Sequence, residues 1–425
     1  MVKYKDLLPT YVKGLYNGKY TLRQASEATG YSIRQLSSLK QKYKKDGDLI
    51  FQHKNKGRAP KNRIDEVTKT KIALLYASDL YKDVNFRYFR KCLEDFEGIK
   101  ISLTTLRKIM DEFGFRSPEC HKVKYKQPKV HRTRFRRENE GDLLQIDGTP
   151  FPWFYKSTND KANYCMHGAI DDATGKITAL YITENECLYG YMEMLRRTLT
   201  KYGVPREIYS DRAAIFCYTP RKNQHGDAPT VAEQLEGIHQ KRTQWQRILE
   251  ELQIRQILAW SPQAKGRAER MWQTLQGRIP TLFAIKNIKT VDQANEFLLK
   301  YVDEFNAEFA VSPAKPDTFY LPAPENLDGI LQARFPRKTN TNGILSFHNY
   351  KLAVMGARRS SNISCQICVS EHGITALMPD GLYYPVKIVE NPDGDYEGSV
   401  GTDMSEALVR IIYDNLFKYA KEVSI

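Results

Sequence analysis

Between residues 138 and 310 short apolar runs alternate with amphipathic helical stretches, and this alternation restricts the fold more than any other feature of the chain. Leu143-Leu-Gln-Ile-Asp147 reads as a strand that Gly148, Thr149 and Pro150 should stop. Runs at 163–170 and 176–182 flank Asp171-Asp-Ala-Thr-Gly175, a turn sequence, and so read as a hairpin. A helix at 189–202 ends near Gly203 and Pro205, and a strand at 206–211 ends on Asp211. A helix at 243–253, a strand at 253–260, a helix beyond Lys265 and another at 290–309 complete the series. Strands alternating with helices argue for an open α/β sheet with helices on its faces.

Two carboxylates, Asp147 and Asp211, stand just past apolar strands. Open α/β sheets place their chemistry beyond the C-terminal ends of strands. The third carboxylate lies in Ser261-Pro-Gln-Ala-Lys-Gly-Arg-Ala-Glu-Arg270, where Lys265, Glu269 and Gln273 share a helix face. Ala268, Met271, Trp272 and Leu275 form the apolar stripe of that helix, and Gly266 leaves room for another backbone. Three converging carboxylates repel one another unless a cation neutralises them. Hard oxygen donors favour Mg2+ or Mn2+, and a pair of such ions suits in-line phosphodiester chemistry. Glu233 and Glu236 are alternatives for the third position. Asp171 and Asp172 are accounted for by turn chemistry.

Gln145-Ile-Asp-Gly-Thr149, Ser210-Asp211 and Ser261–Arg270 resemble, in order, the three motifs of the DDE transposase and retroviral-integrase superfamily, most nearly the bacterial insertion-sequence transposases. The resemblance implies an RNase H-like catalytic core at 138–310. In it Asp147, Asp211 and Glu269 would be both catalytic residues and metal ligands, holding Mg2+ or Mn2+, two ions per site. It implies cleavage at transposon ends and strand transfer into target DNA. Its partners would be double-stranded DNA, as terminal inverted repeats and target, and further copies of the chain, at least a dimer on DNA. A nuclease of the same fold without strand transfer, or an inactive DNA-binding regulator, would carry many of the same residues. The chain departs from the common form in spacing. Asp147 and Asp211 are 64 residues apart, and Asp211 and Glu269 are 58 apart, with the surplus in a polar insert near 217–240.

The N-terminal 1–50 region reads as helices at 7–16, 21–30 and 33–45, capped by Thr21 and Ser32 and interrupted by Gly30. The last two form a helix-turn-helix pattern whose second helix offers Arg34, Gln35, Ser38 and Lys42 to DNA, with Lys40 and Gln41 beside them. A basic linker at 51–63 contains Gly57-Arg58-Ala-Pro60, which resembles an AT-hook arm; Arg58 would enter a minor groove, though a plain linker has the same composition. A second helical DNA-binding domain at 64–117 would present Thr104, Thr105, Arg107 and Lys108. The linker at 118–137 adds Lys122, Lys124, Lys126, Arg132 and Arg134, a run suited to a phosphate backbone. Lys265 and Arg267 are expected at DNA phosphate beside the triad. The net charge of +15 agrees with a polyanionic partner.

Pro313, Pro316, Pro322 and Pro324 mark a connector at 311–342. Short alternating runs at 345–348, 350–355, 366–370, 374–378 and 383–387 predict a small β-barrel at 343–400, SH3-like if the resemblance holds, before a C-terminal helix at 401–425. The fold class is therefore multidomain: all-α helix-turn-helix domains, a central α/β core and a small β-barrel. Seven scattered cysteines fit a reducing compartment, and Cys365-x-x-Cys368 lacks the second pair a zinc site needs. No apolar run is long enough to span a membrane and the N-terminal residues lack a secretory pattern, so a cytoplasmic, nucleoid-associated protein is expected.

Overall fold

The structure, a computed structural model, describes residues 4–51, 63–118, 135–217, 242–259, 266–347, 350–357, 362–370 and 373–390. Arg58, Lys122, Lys124, Lys126, Arg132, Arg134, Lys265, Glu233, Glu236, almost all of the 217–240 insert and the 401–425 helix lie outside the described residues. The chain divides into two compact units, Met1–Lys71 and Ile72–Ile425.

In the first unit α1 (Leu8–Tyr16), α2 (Leu22–Thr29) and α3 (Ile33–Asp46) close around Val12, Leu15, Ala25 and Leu36. Capping boxes begin α2 at Thr21/Gln24 and α3 at Ser32/Gln35. Gly30 takes the left-handed conformation, φ 73°, that turns the chain between them. Arg34, Ser38 and Lys42 are exposed on α3. Gln35 is exposed too, but its Oε1 accepts from Ser32 N at 3.2 Å, so its amide starts the helix.

Three helices follow, α4 (Glu66–Ala77), α5 (Phe86–Asp95) and α6 (Leu103–Glu112). Tyr76, Phe86, Phe89 and Phe115 interlock edge to face, and Cys92, Leu93, Leu106 and Met110 are buried around them. Thr104, Arg107 and Lys108 are exposed on α6; Thr105 is half-buried and tied to the Ser102 cap, 2.8 Å between hydroxyls.

The central sheet comprises β1 (Leu143–Phe151), β2 (Tyr164–Asp171), β3 (Ile177–Thr183), β4 (Glu207–Ser210) and β5 (Arg255–Leu258), in the order β3-β2-β1-β4-β5. β1, β2 and β3 are antiparallel neighbours, while β4 runs parallel to β1 and β5 parallel to β4. Its helices are α7 (Tyr155–Thr158), α8 (Leu188–Lys201), α9 (Gln244–Glu251), α10 (Gly266–Gln276), α11 (Ile279–Ile285) and α12 (Val291–Phe309). β1 does not stop at Gly148-Thr-Pro150; it continues against β2 as far as Phe151↔Tyr164. The β1–β4 ladder ends at Gln145↔Tyr209, so Pro150 meets no strand on that side and its missing N–H is tolerated. On one face Tyr191 of α8, Phe216 after β4 and Trp245 of α9 pack edge to face, Phe216 and Trp245 with centroids 5.6 Å apart.

α5 is fastened to this core. Glu308 of α12 accepts from both terminal nitrogens of Arg278, at 2.9 and 2.8 Å, and from Lys91 of α5 at 2.7 Å. The Arg278 guanidinium lies over the Tyr88 and Phe309 rings.

After α13 (Leu327–Ile330) come β6 (Ala333–Lys338), β7 (Ile344–Phe347), β8 (Tyr350–Val354), β9 (Ser364–Ser370), β10 (Gly373–Leu377) and β11 (Tyr383–Glu390). They form one antiparallel sheet in the order β6-β9-β10-β11-β8-β7. β6 falls inside the expected 311–342 connector. Its Arg-Phe-Pro-Arg-Lys sequence hides the strand pattern, and its edge position accommodates Pro336. Gln244 of α9 bonds both sides of Arg334 in β6, donating to its carbonyl at 2.6 Å and accepting from its N–H at 3.1 Å. Cys365 and Cys368 are both buried in β9, and three positions apart along a strand their side chains leave opposite faces.

Candidate active site

Asp147 is half-buried near the middle of β1, where that strand outlasts its parallel neighbour. The ladder pairs Leu143 with Glu207, Leu144 with Ile208 and Gln145 with Tyr209. Asp147 and Asp211 each lie two residues beyond the last of these pairs, and β4 itself ends at Ser210. Asp211 leaves β4 into a tight turn in which its Oδ1 accepts from Ala213 N at 2.9 Å.

Glu269 is carried by α10, which three side-chain bonds align along β1 and the adjoining turn. Arg267 Nε donates to Asp172 Oδ1 at 2.8 Å, an oxygen that also receives Gln145 Nε2 at 2.8 Å. Trp272 Nε1 donates to Asp147 Oδ2 at 3.0 Å, and Gln276 Nε2 reaches Thr149 Oγ1 at 3.4 Å. Four helical residues advance about 6 Å and two strand residues about 6.6 Å, so α10 runs beside β1 in step with it. Glu269 stands one turn before Trp272 on the exposed flank of the helix, in its first turn, where the helix dipole favours an anion. Asp147 and Asp211 thus follow the same end of the β1–β4 ladder, and Glu269 stands on the helix that lies along β1. They are not drawn together: among the described residues no group of three His, Cys, Asp or Glu side chains is close enough to hold a metal.

Glycines let these layers approach. Gly168 faces Asp147 across the β1–β2 ladder, and a Cβ there would lie 2.7 Å from the Trp272 ring. On the opposite face a Cβ at Gly148 would meet the Tyr191 hydroxyl at 2.7 Å. That hydroxyl donates to Glu186 Oε1 at 2.7 Å, and burial, with Glu186 beside it, holds the phenol well above its ordinary pKa. His167 is fully buried beneath Tyr191, and burial pushes its pKa down to about 3. It is therefore a neutral core side chain.

Several expectations change on this geometry. Asp171 serves the turn, accepting from Thr174 N, Thr174 Oγ1 and Gly141 N at 2.7–2.9 Å, and burial raises its pKa; Asp172, expected to do the same, accepts instead from Arg137 N, Gln145 Nε2 and Arg267 Nε. Arg267, expected on DNA phosphate, instead pairs with Asp172, whose side chain is 2% exposed. Gly266, expected beneath a close backbone, has open space around it among the described residues. Trp272, read only as part of an apolar stripe, touches a triad carboxylate. The available signal was chemical: a buried indole N–H seeks an acceptor, and acidic side chains were already expected nearby.

No family model matches the chain. It is 32% identical over 327 residues, 70% of its own length and 67% of the relative's, to the transposase for insertion sequence IS1202 of Streptococcus pneumoniae. It is 31% identical over 340 residues, 79% of its length and 69% of the relative's, to the putative transposase y4bF of Sinorhizobium fredii NGR234. Among solved structures, a chain of the simian T-cell lymphotropic virus intasome in complex with a PP2A regulatory subunit aligns with 75% of this chain and 97% of its own, at 15% identity and a TM-score of 0.31. The HTLV-2 integrase catalytic core domain in complex with magnesium covers 38% of this chain and 84% of its own, at 15% identity and a TM-score of 0.27. Superpositions this loose carry no argument; the two sequence relatives do.

Proposed function

Since the chain belongs to the family of insertion-sequence transposases and is a DNA transposase, we propose that Asp147, Asp211 and Glu269 are the residues that carry its reaction. Support for this reading comes from the β1–β4 ladder, beyond which Asp147 and Asp211 both lie by two residues, together with α10 laid in step along β1. The donor set is three carboxylates, a hard-oxygen set whose chemistry suits Mg2+ or Mn2+, and it would hold such ions once the three are drawn together. Such cations, when bound, would lower the cost of charge on the attacking and leaving oxygens of a phosphodiester. The chain's own contribution is to carry Asp147 and Asp211 past the same end of one strand pair and to hold Asp147 from behind through Trp272.

On this reading α2 and α3 act as a helix-turn-helix that recognises terminal repeats through Arg34, Ser38 and Lys42. Thr104, Arg107 and Lys108 on α6 extend the contact, and the six-stranded C-terminal sheet is a small SH3-like barrel. Each chain supplies one triad, so coordinated insertion of two ends calls for at least a dimer on DNA. Among the described residues no helix is long and apolar enough to cross a membrane, and the working place is with DNA in the cytoplasm.

The test uses full-length protein, a DNA carrying the element's own ends, and Mn2+ or Mg2+. Glu269→Gln keeps size and hydrogen bonding but removes charge, and should lower cleavage at least about a hundredfold while end binding stays within about threefold. Wild-type protein given pre-cut ends should join them to target DNA; cleavage without joining would favour the nuclease. Full activity in Glu269→Gln would move the third carboxylate to Glu233 or Glu236.

A further inference from the structure

Four tryptophans occur in the chain, and three of them, Trp153, Trp245 and Trp272, are buried among the described residues. Trp153 and Trp245 fill the core with no hydrogen-bond partner for the indole N–H. Trp272, 5% exposed, directs its N–H to Asp147 Oδ2 at 3.0 Å. Packing alone therefore does not explain where this indole points. Its seat is also built from the other side: Gly168, the ladder partner of Asp147, leaves the space in which the ring lies, 2.7 Å from where a Cβ would be.

We infer that Trp272 is a positioning residue for the metal site, an inference that rests on Asp147, Asp211 and Glu269 being the triad. An N–H bond to one carboxylate oxygen sets the plane of the group, so its remaining lone pairs keep a fixed direction. Carboxylates that ligate metals are commonly oriented in this way by a second hydrogen bond, and losing that partner costs about 10–100-fold in metal affinity. The same ring belongs to the helix that carries Glu269, three residues earlier. The bond orients Asp147 and, with the Arg267–Asp172 and Gln276–Thr149 bonds, fixes the helix that carries Glu269. Trp272 never touches substrate; it acts through Asp147.

The experiment measures Mn2+ binding to the full-length protein by calorimetry in the absence of DNA, for wild type, Trp272→Phe, Gly168→Ala and Asp147→Asn. Phe keeps an aromatic ring in the stripe and removes the donor together with the outer part of the indole. Gly168→Ala keeps the donor and displaces the ring. Both should weaken Mn2+ binding about tenfold or more, with end-DNA affinity unchanged. A Trp272→Phe protein that melts lower but binds Mn2+ within about twofold of wild type would overturn the inference and leave Trp272 a core side chain. Should Phe unfold the protein, Gly168→Ala reads the same contact, and unchanged Mn2+ affinity there overturns the inference equally. Asp147→Asn separates the two levels of argument. If it binds Mn2+ as wild type does, the triad reading itself fails; if it alone loses binding, the triad stands and only the role of Trp272 falls.

Discussion

Arg267→Met discriminates between two roles for one cation. The sequence pattern sets Arg267 at a DNA phosphate, whereas the structure sets it against Asp172, with side chains 19% and 2% exposed. Methionine keeps the length of the stem and removes the charge. Breaking a buried pair by removing one partner costs about 3–5 kcal/mol. Asp172 retains Gln145 Nε2 at 2.8 Å and Arg137 N at 2.9 Å, so about 2–3 kcal/mol is the expected loss once those two bonds are counted. With a urea slope near 3 kcal/mol/M, the midpoint should fall by about 1 M. A chain of two compact units need not unfold in one step, but all four tryptophans lie within Ile72–Ile425, so intrinsic fluorescence reports the relevant unit. Pairing the substitution with Asp172→Asn in a double-mutant cycle should give a coupling of about 2 kcal/mol. Coupling under about 0.5 kcal/mol, an unmoved midpoint and a salt slope of DNA binding reduced by about one would refute the structural role and restore the phosphate contact.

Two further perturbations probe the packing around the site. Paired with Arg278 above all and also with Lys91, Glu308 has its pKa lowered to about 2 from 4.5. The charged form is the one the fold favours, so this stability is present above about pH 4.5 and is lost as pH falls through about 2. Glu308→Gln should therefore lower stability at pH 7 by about 1–2 kcal/mol, allowing for a partly exposed pair. The gap in thermal midpoint between variant and wild type should narrow at pH 3; a gap that does not change with pH would rule this linkage out. Gly190→Ala would drive a methyl group into the buried His167 ring and should cost about 2–3 kcal/mol as overpacking. A urea midpoint equal to that of wild type would mean α8 can shift where the packing says it cannot.

What could be read from the sequence depended on how local its cause was. The hairpin around Asp171-Asp-Ala-Thr-Gly175 and the helices behind Thr21, Ser32 and Thr243 are set by neighbouring residues, and the structure has them within a residue or two. Gln35 was legible as well, since Ser-x-x-Gln is a capping box, yet its exposed position drew it toward DNA instead. β6 was not legible. Arg334, Pro336, Arg337 and Lys338 resemble a connector, and only the pairing with β9, some thirty positions on, makes them a strand. The same holds for the bonds of Arg267 to Asp172 and Trp272 to Asp147, which join residues 95 and 125 positions apart. Periodicity assigned α10 its buried stripe; it had no means of saying which atom that stripe would meet.

The edge-to-face cluster of Tyr191, Phe216 and Trp245 bears on how such a chain can diverge. Phe216 precedes, and Trp245 follows, the long polar stretch that separates Asp211 from Glu269. Because these two rings touch, and Gln256 also donates to the Phe216 carbonyl at 3.1 Å, the stretch starts and finishes at nearly one point. Closing a loop between joined ends costs only about 0.6 kcal/mol for each doubling of its length. Material can thus accumulate or vanish there over evolutionary time with little effect on β4, α9 or the carboxylates beyond them. Spacing between these acidic residues is then only loosely constrained by the fold, because the neck of the insertion, and not its length, is what the packing holds.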